Sequence, residues 1–426
     1  MKQHLSDSAI STPSQQQKRV AILGAGIIGL NCAFWLQRAG YQVTLFDTEK
    51  PGLGASFGNA GLFADYGRLP FATFSMLRKI PNMLLDKQSP LSIDPKYTPS
   101  LLSYGYQYFK ACFDRRYQSG KQGLLALHQL VKETDETVIS ATNSEHLITR
   151  QGFIGLFSTK ESFDKAKPSF EERAGQGVQL RLLDSVQIRE LEPNLKLDCA
   201  GAVYYPNTYH SVNPSHYCQS IFDYFCKQGG HFVQEKISGL SAQDKKVDLH
   251  SVVNSYEFDH LVVTTGAASK PLVEQLGLSI PQVCERGYHL MLKDTENLLT
   301  RPIAWMNQGV HMTPMQQGIR VAGSAEYTHI DSQPSEMRTR VMHNHAQTMI
   351  GAGIEIATSW VGSRPTTPDS LPVIANMKNH PNVTLAFGHG HLGLTLASVT
   401  GKAVEQLVSG TVTDLDLSAF SAERFN

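Results

Sequence analysis

The chain has 426 residues, enough at about 100 to 200 residues per domain for two or three folding units around a sizeable core. Apolar residues make up 41% and charged residues 18%, and 38 basic side chains balance 38 acidic ones, which excludes a disordered chain and any electrostatic case for nucleic acid. The six cysteines (Cys32, Cys112, Cys199, Cys218, Cys226, Cys284) include no C-x-x-C pair, so neither a disulfide framework nor a zinc site is expected, and the compartment is expected to be reducing.

In chain order, residues 1–17 are rich in Ser and Gln and are expected to be a disordered tail. Val20 to Leu36 is almost wholly apolar and follows Lys18-Arg19, which admits a membrane segment. A second reading fits better: three glycines at fixed offsets, then Gly40 and the alternating run YQVTLFD, describe a strand, a helix and a second strand. Gly24-Ala25-Gly26-Ile27-Ile28-Gly29 is G-x-G-x-x-G at the end of that first strand. Gly24 allows the tight turn, Gly26 lets the backbone reach a pyrophosphate, and Gly29 lets the helix pack on the sheet. The helix, about Ile27 to Ala39, aims the amides of Ile27 and Ile28 and its dipole at the phosphates. Asp47 ends the second strand, where a carboxylate accepts from ribose hydroxyls and disfavours a 2′-phosphate. These features do not separate NAD from FAD. The glycine-rich stretch Gly52 to Gly61 points to FAD, since a simple nicotinamide enzyme does not need it; the competing reading is a flexible surface loop.

Leu69 to Tyr117 mixes Phe, Tyr, Leu and Met with Arg78, Lys79, Lys110, Arg115 and Arg116, and prolines interrupt it. It reads as a cap of short helices over the active site or as an amphipathic membrane-surface element. His260 to Ser269 is a β-branched strand running into Thr264-Thr265-Gly266, whose small residues let the backbone pass near a dinucleotide. Asn382 to Ala386 is a short strand, and Gly388 to Gly393 opens a helix from about Leu394 to Val408. A glycine-rich turn feeding a helix N-terminus, here Gly390, Leu392, Gly393, Leu394 and Thr395, is an anion site. His389 and His391 flank Gly390 without a carboxylate or Cys nearby in the sequence, so no metal is expected.

Arg364 lies between Ser363 and Pro365 in WVGSRPTTPD. A guanidinium on that stiff backbone suits bidentate binding of a carboxylate; the alternative is a structural arginine tied to Asp369. Tyr288 is expected as a second carboxylate contact or lid residue, or else as a buried core tyrosine.

GAGIIG (24–29), GASFGNAG (54–61), RGYHL (286–290), RVAGSAEY (320–327), GSRPTTPDSLPVI (362–374) and GHGHLGLTLA (388–397) together resemble the D-amino-acid oxidase superfamily, and within it the bacterial D-amino-acid dehydrogenase small-subunit type. The resemblance implies an α/β fold: a doubly wound, Rossmann-like FAD domain with a second, mixed-sheet α+β substrate domain. The FAD domain is expected to comprise 18–66, 207–275 and 358–426, and the substrate domain 67–206 and 276–357. It further implies noncovalent FAD, with Asp47 at the ribose, Ser56, Asn59, Ala60 and Gly61 along the pyrophosphate and flavin, and Ile237 at the adenine. Asp47 stands where many relatives carry Glu. Arg364 then holds the substrate carboxylate, Tyr288 supports it, and His391 lies near the flavin edge. The implied reaction is oxidative deamination of an amino acid, D-configured, with electrons passing to a quinone or dye-type acceptor. Glycine, sarcosine or hydroxyproline oxidation is the alternative, and a non-catalytic dinucleotide-binding module a distant one. A cytoplasmic protein with peripheral contact on the inner membrane face is implied, and no nucleic-acid partner.

Overall fold

The glycines divide the apolar stretch 20–36 into two elements. In the computed structural model, which describes residues 18–411 and 415–425, β1 (Arg19–Leu23) is buried from Val20 onward and leads through a turn into α1 (Ile27–Arg38). Gly40 takes a left-handed φ of 88° and sends the chain back into β2 (Gln42–Asp47), parallel to β1. The membrane reading of this stretch is therefore replaced by a strand, a turn and a helix. The expected tail over 1–17 lies outside the described residues.

Among the described residues six strands form one sheet, in the order His231–Gln234, β2, β1, His260–Val263, Val383–Phe387, Val373–Asn376. All neighbours are parallel except the last pair. One face is covered by α1 and the helices Pro214–Lys227 and Gly393–Ser409, which bury Leu30, Phe34, Ile221 and Val404. The other face carries a small antiparallel sheet over Gly239–Ala242, Val247–His250 and Ser255–Phe258, because Leu240, Val247, Leu249 and Phe258 turn their apolar side chains onto Leu23, Phe46 and Val263.

A second, nine-stranded mixed sheet holds Val283–Leu292 between Ile356–Thr366 and Gly318–Tyr327. The strand Ile356–Thr366 belongs here, so the expected domain boundary at 358 falls inside this sheet. α4 (Asp114–Ala141) comes from the stretch expected in the substrate domain, yet its Leu124, Leu127 and Val131 pack with Leu396, Val399 and Ala403 of the C-terminal helix. Before it come α2 (Phe74–Leu85), capped by Thr73 Oγ1 accepting from Met76 N at 3.1 Å, and α3 (Leu102–Ala111). No residue of α2 is buried. Among the described residues no helix is long and apolar enough to cross a membrane. All six cysteines are unpaired.

Candidate active site

The turn between β1 and α1 is built by close backbone approach. Gly24 has φ 103°, and a Cβ there would lie 2.6 Å from the Thr264 carbonyl oxygen, while the Thr264 hydroxyl donates to the Leu23 and Gly24 carbonyls. A Cβ on Gly29 would fall 1.8 Å from Gly24 O. α1 starts at Gly26 with no side-chain cap; Ile27 N donates to Ser56 Oγ at 2.9 Å, which puts Ser56 at the mouth of the helix. Asp47 sits beside this mouth, accepting from Ala25 N at 2.6 Å and from Glu49 N at 3.1 Å. Ile237, buried among Leu23, Phe46 and Val263, lies just beyond the strand that ends at Gln234 opposite Asp47.

The glycine-rich stretch after β2 is clamped to the second sheet and is not a free surface loop. Arg320 Nη1 donates to the carbonyls of Phe57 and Asn59, both at 2.9 Å, and Thr313 Oγ1 donates to that of Ala60. Trp360 lies so close that a Cβ on Gly58 would be 1.8 Å from its ring. Burial and the Arg320 charge lower the His289 imidazole to about 4, so His289, stacked on Trp360 at 5.2 Å, is neutral. The Gly61 amide is occupied by Asn59 Oδ1 at 2.7 Å, whereas the amides of Asn59 and Ala60 have no hydrogen-bond partner among the described residues. Thr265 Oγ1 pairs with Ser269 Oγ at 3.0 Å, and the Gly266 carbonyl accepts from Gln282.

Gly390–Leu392 forms a turn entering the helix Gly393–Ser409, whose N-terminus has no side-chain cap. Open space surrounds the Cα of Gly390, and a Cβ on Gly393 would meet nothing closer than 3.8 Å. Leu392 and Leu394 are buried, and Thr395 Oγ1 accepts from Ala64 N at 3.0 Å. His389 is a core imidazole, 3.0 Å from Thr400 Oγ1 and lowered by burial to about 3. Among the described residues no group of side chains is suited to a metal ion.

Next to this turn lies a charged cluster. Arg364 Nη1 donates to Glu285 Oε1 and to the Ser324 carbonyl, both at 2.9 Å. Its Nε and Nη2 have no hydrogen-bond partner among the described residues. The guanidinium lies over Gly287, where a Cβ would stand 2.2 Å from it. Glu285 also accepts from Tyr327 OH at 3.1 Å and has His391 Nε2 3.1 Å from Oε1. Burial raises the Glu285 carboxyl, but His391, Arg364 and Tyr327 together outweigh it and hold it at about 2. Tyr104 of α3 places its ring 6.3 Å from that of Tyr327.

Arg364 is therefore not tied to Asp369, which pairs with Arg424 at 2.6 Å. Nor does Tyr288 reach Arg364. Along Val283–Leu292, Glu285 and Gly287 face the guanidinium while Tyr288 points to the other side, donating to Glu326 at 2.6 Å and accepting from Ser335 N at 2.9 Å. Of its two sequence readings, the buried tyrosine fits. Glu285, Tyr327, Tyr104 and Arg320 were not singled out from the sequence; the signal available was a Glu inside the otherwise mostly apolar strand VCERGYHLML.

Residues 19–407 match the model of the FAD dependent oxidoreductase (DAO) family. The chain belongs to this family. Relatives include the D-amino-acid oxidase of Bradyrhizobium diazoefficiens, 29% identical over 96% of this chain and 99% of that protein. The D-amino acid dehydrogenase 1 of Mesorhizobium japonicum is 27% identical over 96% and 99%. Among solved structures, glycine oxidase from Geobacillus kaustophilus superposes with a TM-score of 0.76 at 21% identity, covering 95% of this chain and 99% of that one. L-proline dehydrogenase from P. horikoshii gives 0.75 at 16% identity over 96% and 98%. The DAO-family cofactor is FAD, and the residues here fit it: the Gly24-Gly26-Gly29 turn brings backbone close together, Asp47 stands at the end of β2, and the helix from Gly393 opens without a side-chain cap.

Proposed function

We propose that the chain catalyses the oxidative deamination of an α-amino acid, D-configured, giving a 2-oxo acid and ammonia. FAD, when bound, accepts the hydride from the α-carbon. The chain's own residues bind and orient. In this reading the Gly24–Gly29 turn, Ile27, Ile28, Asp47, Ser56, Asn59, Ala60, Ile237, Thr265 and the turn Gly390–Thr395 surround the cofactor, and Arg364 holds the substrate carboxylate. The observation that carries it is the Nε/Nη2 edge of Arg364, which has no partner among the described residues, on a guanidinium whose Nη1 is fixed by Glu285 beside the Gly390–Leu392 turn. A planar fork with one edge fixed and one edge open recognises a carboxylate. Relatives named as D-amino-acid oxidases and dehydrogenases support the substrate class.

A quinone-type acceptor and peripheral membrane contact complete the reading. Phe71, Leu85, Leu102, Tyr106 and Phe113 are exposed around α2 and α3, and residues 71–117 carry seven basic against three acidic side chains. An apolar face rimmed by positive charge fits an anionic lipid surface. Phe71 connects this face to the site, its ring 5.6 Å from that of His391. The test is a screen of D- and L-amino acids and imino acids with a dye acceptor and with oxygen, alongside sedimentation with anionic vesicles. D-amino acids with dye as the better acceptor, and co-sedimentation weakened in Leu85→Glu, are expected. Peroxide formed at the dye-assay rate would make the enzyme an oxidase, and preferential turnover of glycine or sarcosine would replace the substrate class.

A further inference from the structure

We infer that Glu285 and His391 act as a proton-accepting dyad for the substrate's ammonium group, with His391 as the catalytic residue and Glu285 as its positioning residue. The inference rests on the amino-acid reading of the site and adds a step to it. An aliphatic ammonium is almost wholly protonated at neutral pH, and its α-carbon gives up hydride only once nitrogen has a lone pair to form the C=N bond. Something must take that proton.

His391 is placed for it. Its Nε2 is 3.1 Å from Glu285 Oε1, and its side chain is 46% exposed against 3% for Glu285, so the pair has one buried end and one open end. The acceptor-only carboxylate favours a proton on Nε2, which leaves Nδ1 as the lone pair; that nitrogen has no hydrogen-bond partner among the described residues. Arg364 belongs to the same cluster, since its Nη1 and His391 Nε2 both contact Glu285 Oε1. A zwitterion whose carboxylate meets Arg364 carries its ammonium on the adjacent carbon, within the cluster that also holds the imidazole.

Glu285 contacts His391 directly, Arg364 and Tyr327 share that carboxylate, Tyr104 stands against Tyr327, and His311 feels the charge of His391. His311 is lowered to about 4, by burial first and then by His391 and Arg364, and is neutral at physiological pH. The Glu285 carboxylate supplies the negative charge that faces the imidazolium formed in the step. In the step, an N–H bond of the ammonium breaks and its proton bonds to His391 Nδ1. The freed nitrogen lone pair forms the C=N bond as hydride leaves the α-carbon, for which FAD, when bound, would be the acceptor. Water hydrolyses the iminium, and the imidazolium returns its proton to solvent.

Two measurements test this. The first is the pH profile of kcat/KM for flavin-loaded wild type and His391→Asn. Wild type should show an ascending limb in the imidazole range. His391→Asn should lose at least about tenfold at neutral pH, with the loss shrinking to within about threefold as alkaline medium deprotonates the amine itself. Binding of benzoate, a carboxylate without an amine, should be unchanged because Arg364 remains. The second needs no turnover: the imidazole NMR signals of His391, assigned by their absence in His391→Asn, should respond to Glu285→Gln with a downward displacement of the titration, because a facing carboxylate is removed. A His391→Asn profile parallel to wild type, or a His391 titration indifferent to Glu285→Gln, overturns the dyad while leaving the amino-acid reading intact. Failure of every amino acid to reduce the wild-type flavin overturns both.

Discussion

The turn between β1 and α1 is assembled from residues that follow one another within GAGIIG, whereas the cluster around Glu285 draws on α3, three separate strands and the turn at Gly390. The first works by the absence of side chains: backbone approaches backbone where no Cβ fits. The second works by choice of partner, since Arg364 could have met Asp369 and instead meets Glu285. A site made by removing atoms is readable from local spacing. One made by pairing charges across a sheet requires the register.

The largest expected effect breaks the first region. Gly29→Ala puts a methyl 1.8 Å from Gly24 O, which only backbone displacement can relieve, so the variant should purify without flavin. Flavin absorbance per chain checks this, and a fully loaded Gly29→Ala protein would remove the turn from the cofactor site. Gly26→Val, whose side chain presses on Ser56 Oγ 3.2 Å away, should act in the same direction but less completely.

The turn, the two strands around it and the helix after Gly393 were legible because each depends on glycine placement and apolar period over short spans. The clamp on Gly58 was not, because its cause is Trp360, about 300 residues later in the chain. Tyr288 was misplaced for a different reason. The strand that holds RGYHL pairs with the strand of Arg364, but strand alternation turns Tyr288 away and Glu285, one residue before the motif, toward it. The strand Ile356–Thr366 runs into the segment expected for the FAD domain from 358 on, yet it pairs with Val283–Leu292 in the second sheet, a pairing that local spacing does not show.

The second region can be sharpened through pH. Glu285 titrates at about 2 in the folded chain against an ordinary 4.5, so its stabilising contribution is complete above the ordinary value and is lost as pH falls toward 2. A depression of that size corresponds to about 3 kcal/mol. The melting-temperature gap between wild type and Glu285→Gln should therefore be widest near neutrality and narrow as pH drops below about 4. A gap independent of pH would mean that Glu285 is not held as an ion by Arg364 and His391.

The smallest expected effect separates the two sides of Val283–Leu292. Tyr288→Phe removes hydrogen bonds to Glu326 and Ser335 and should lower stability by about 1 kcal/mol while leaving kcat/KM within about twofold. A large rise in KM without a change in melting would bring Tyr288 back to the substrate.

The central claim is that the open edge of Arg364 binds the substrate carboxylate. It is tested most directly by kcat/KM of flavin-loaded Arg364→Ala against wild type, with Arg364→Lys beside it. A hydrogen bond to a charged group is worth about 1.5 to 3 kcal/mol, so Arg364→Ala should lose at least about tenfold, and Arg364→Lys should recover only part because it keeps the charge without the fork. Unchanged kcat/KM in a fully flavin-loaded Arg364→Ala enzyme would contradict the account and make the Glu285–Arg364 pair a structural one.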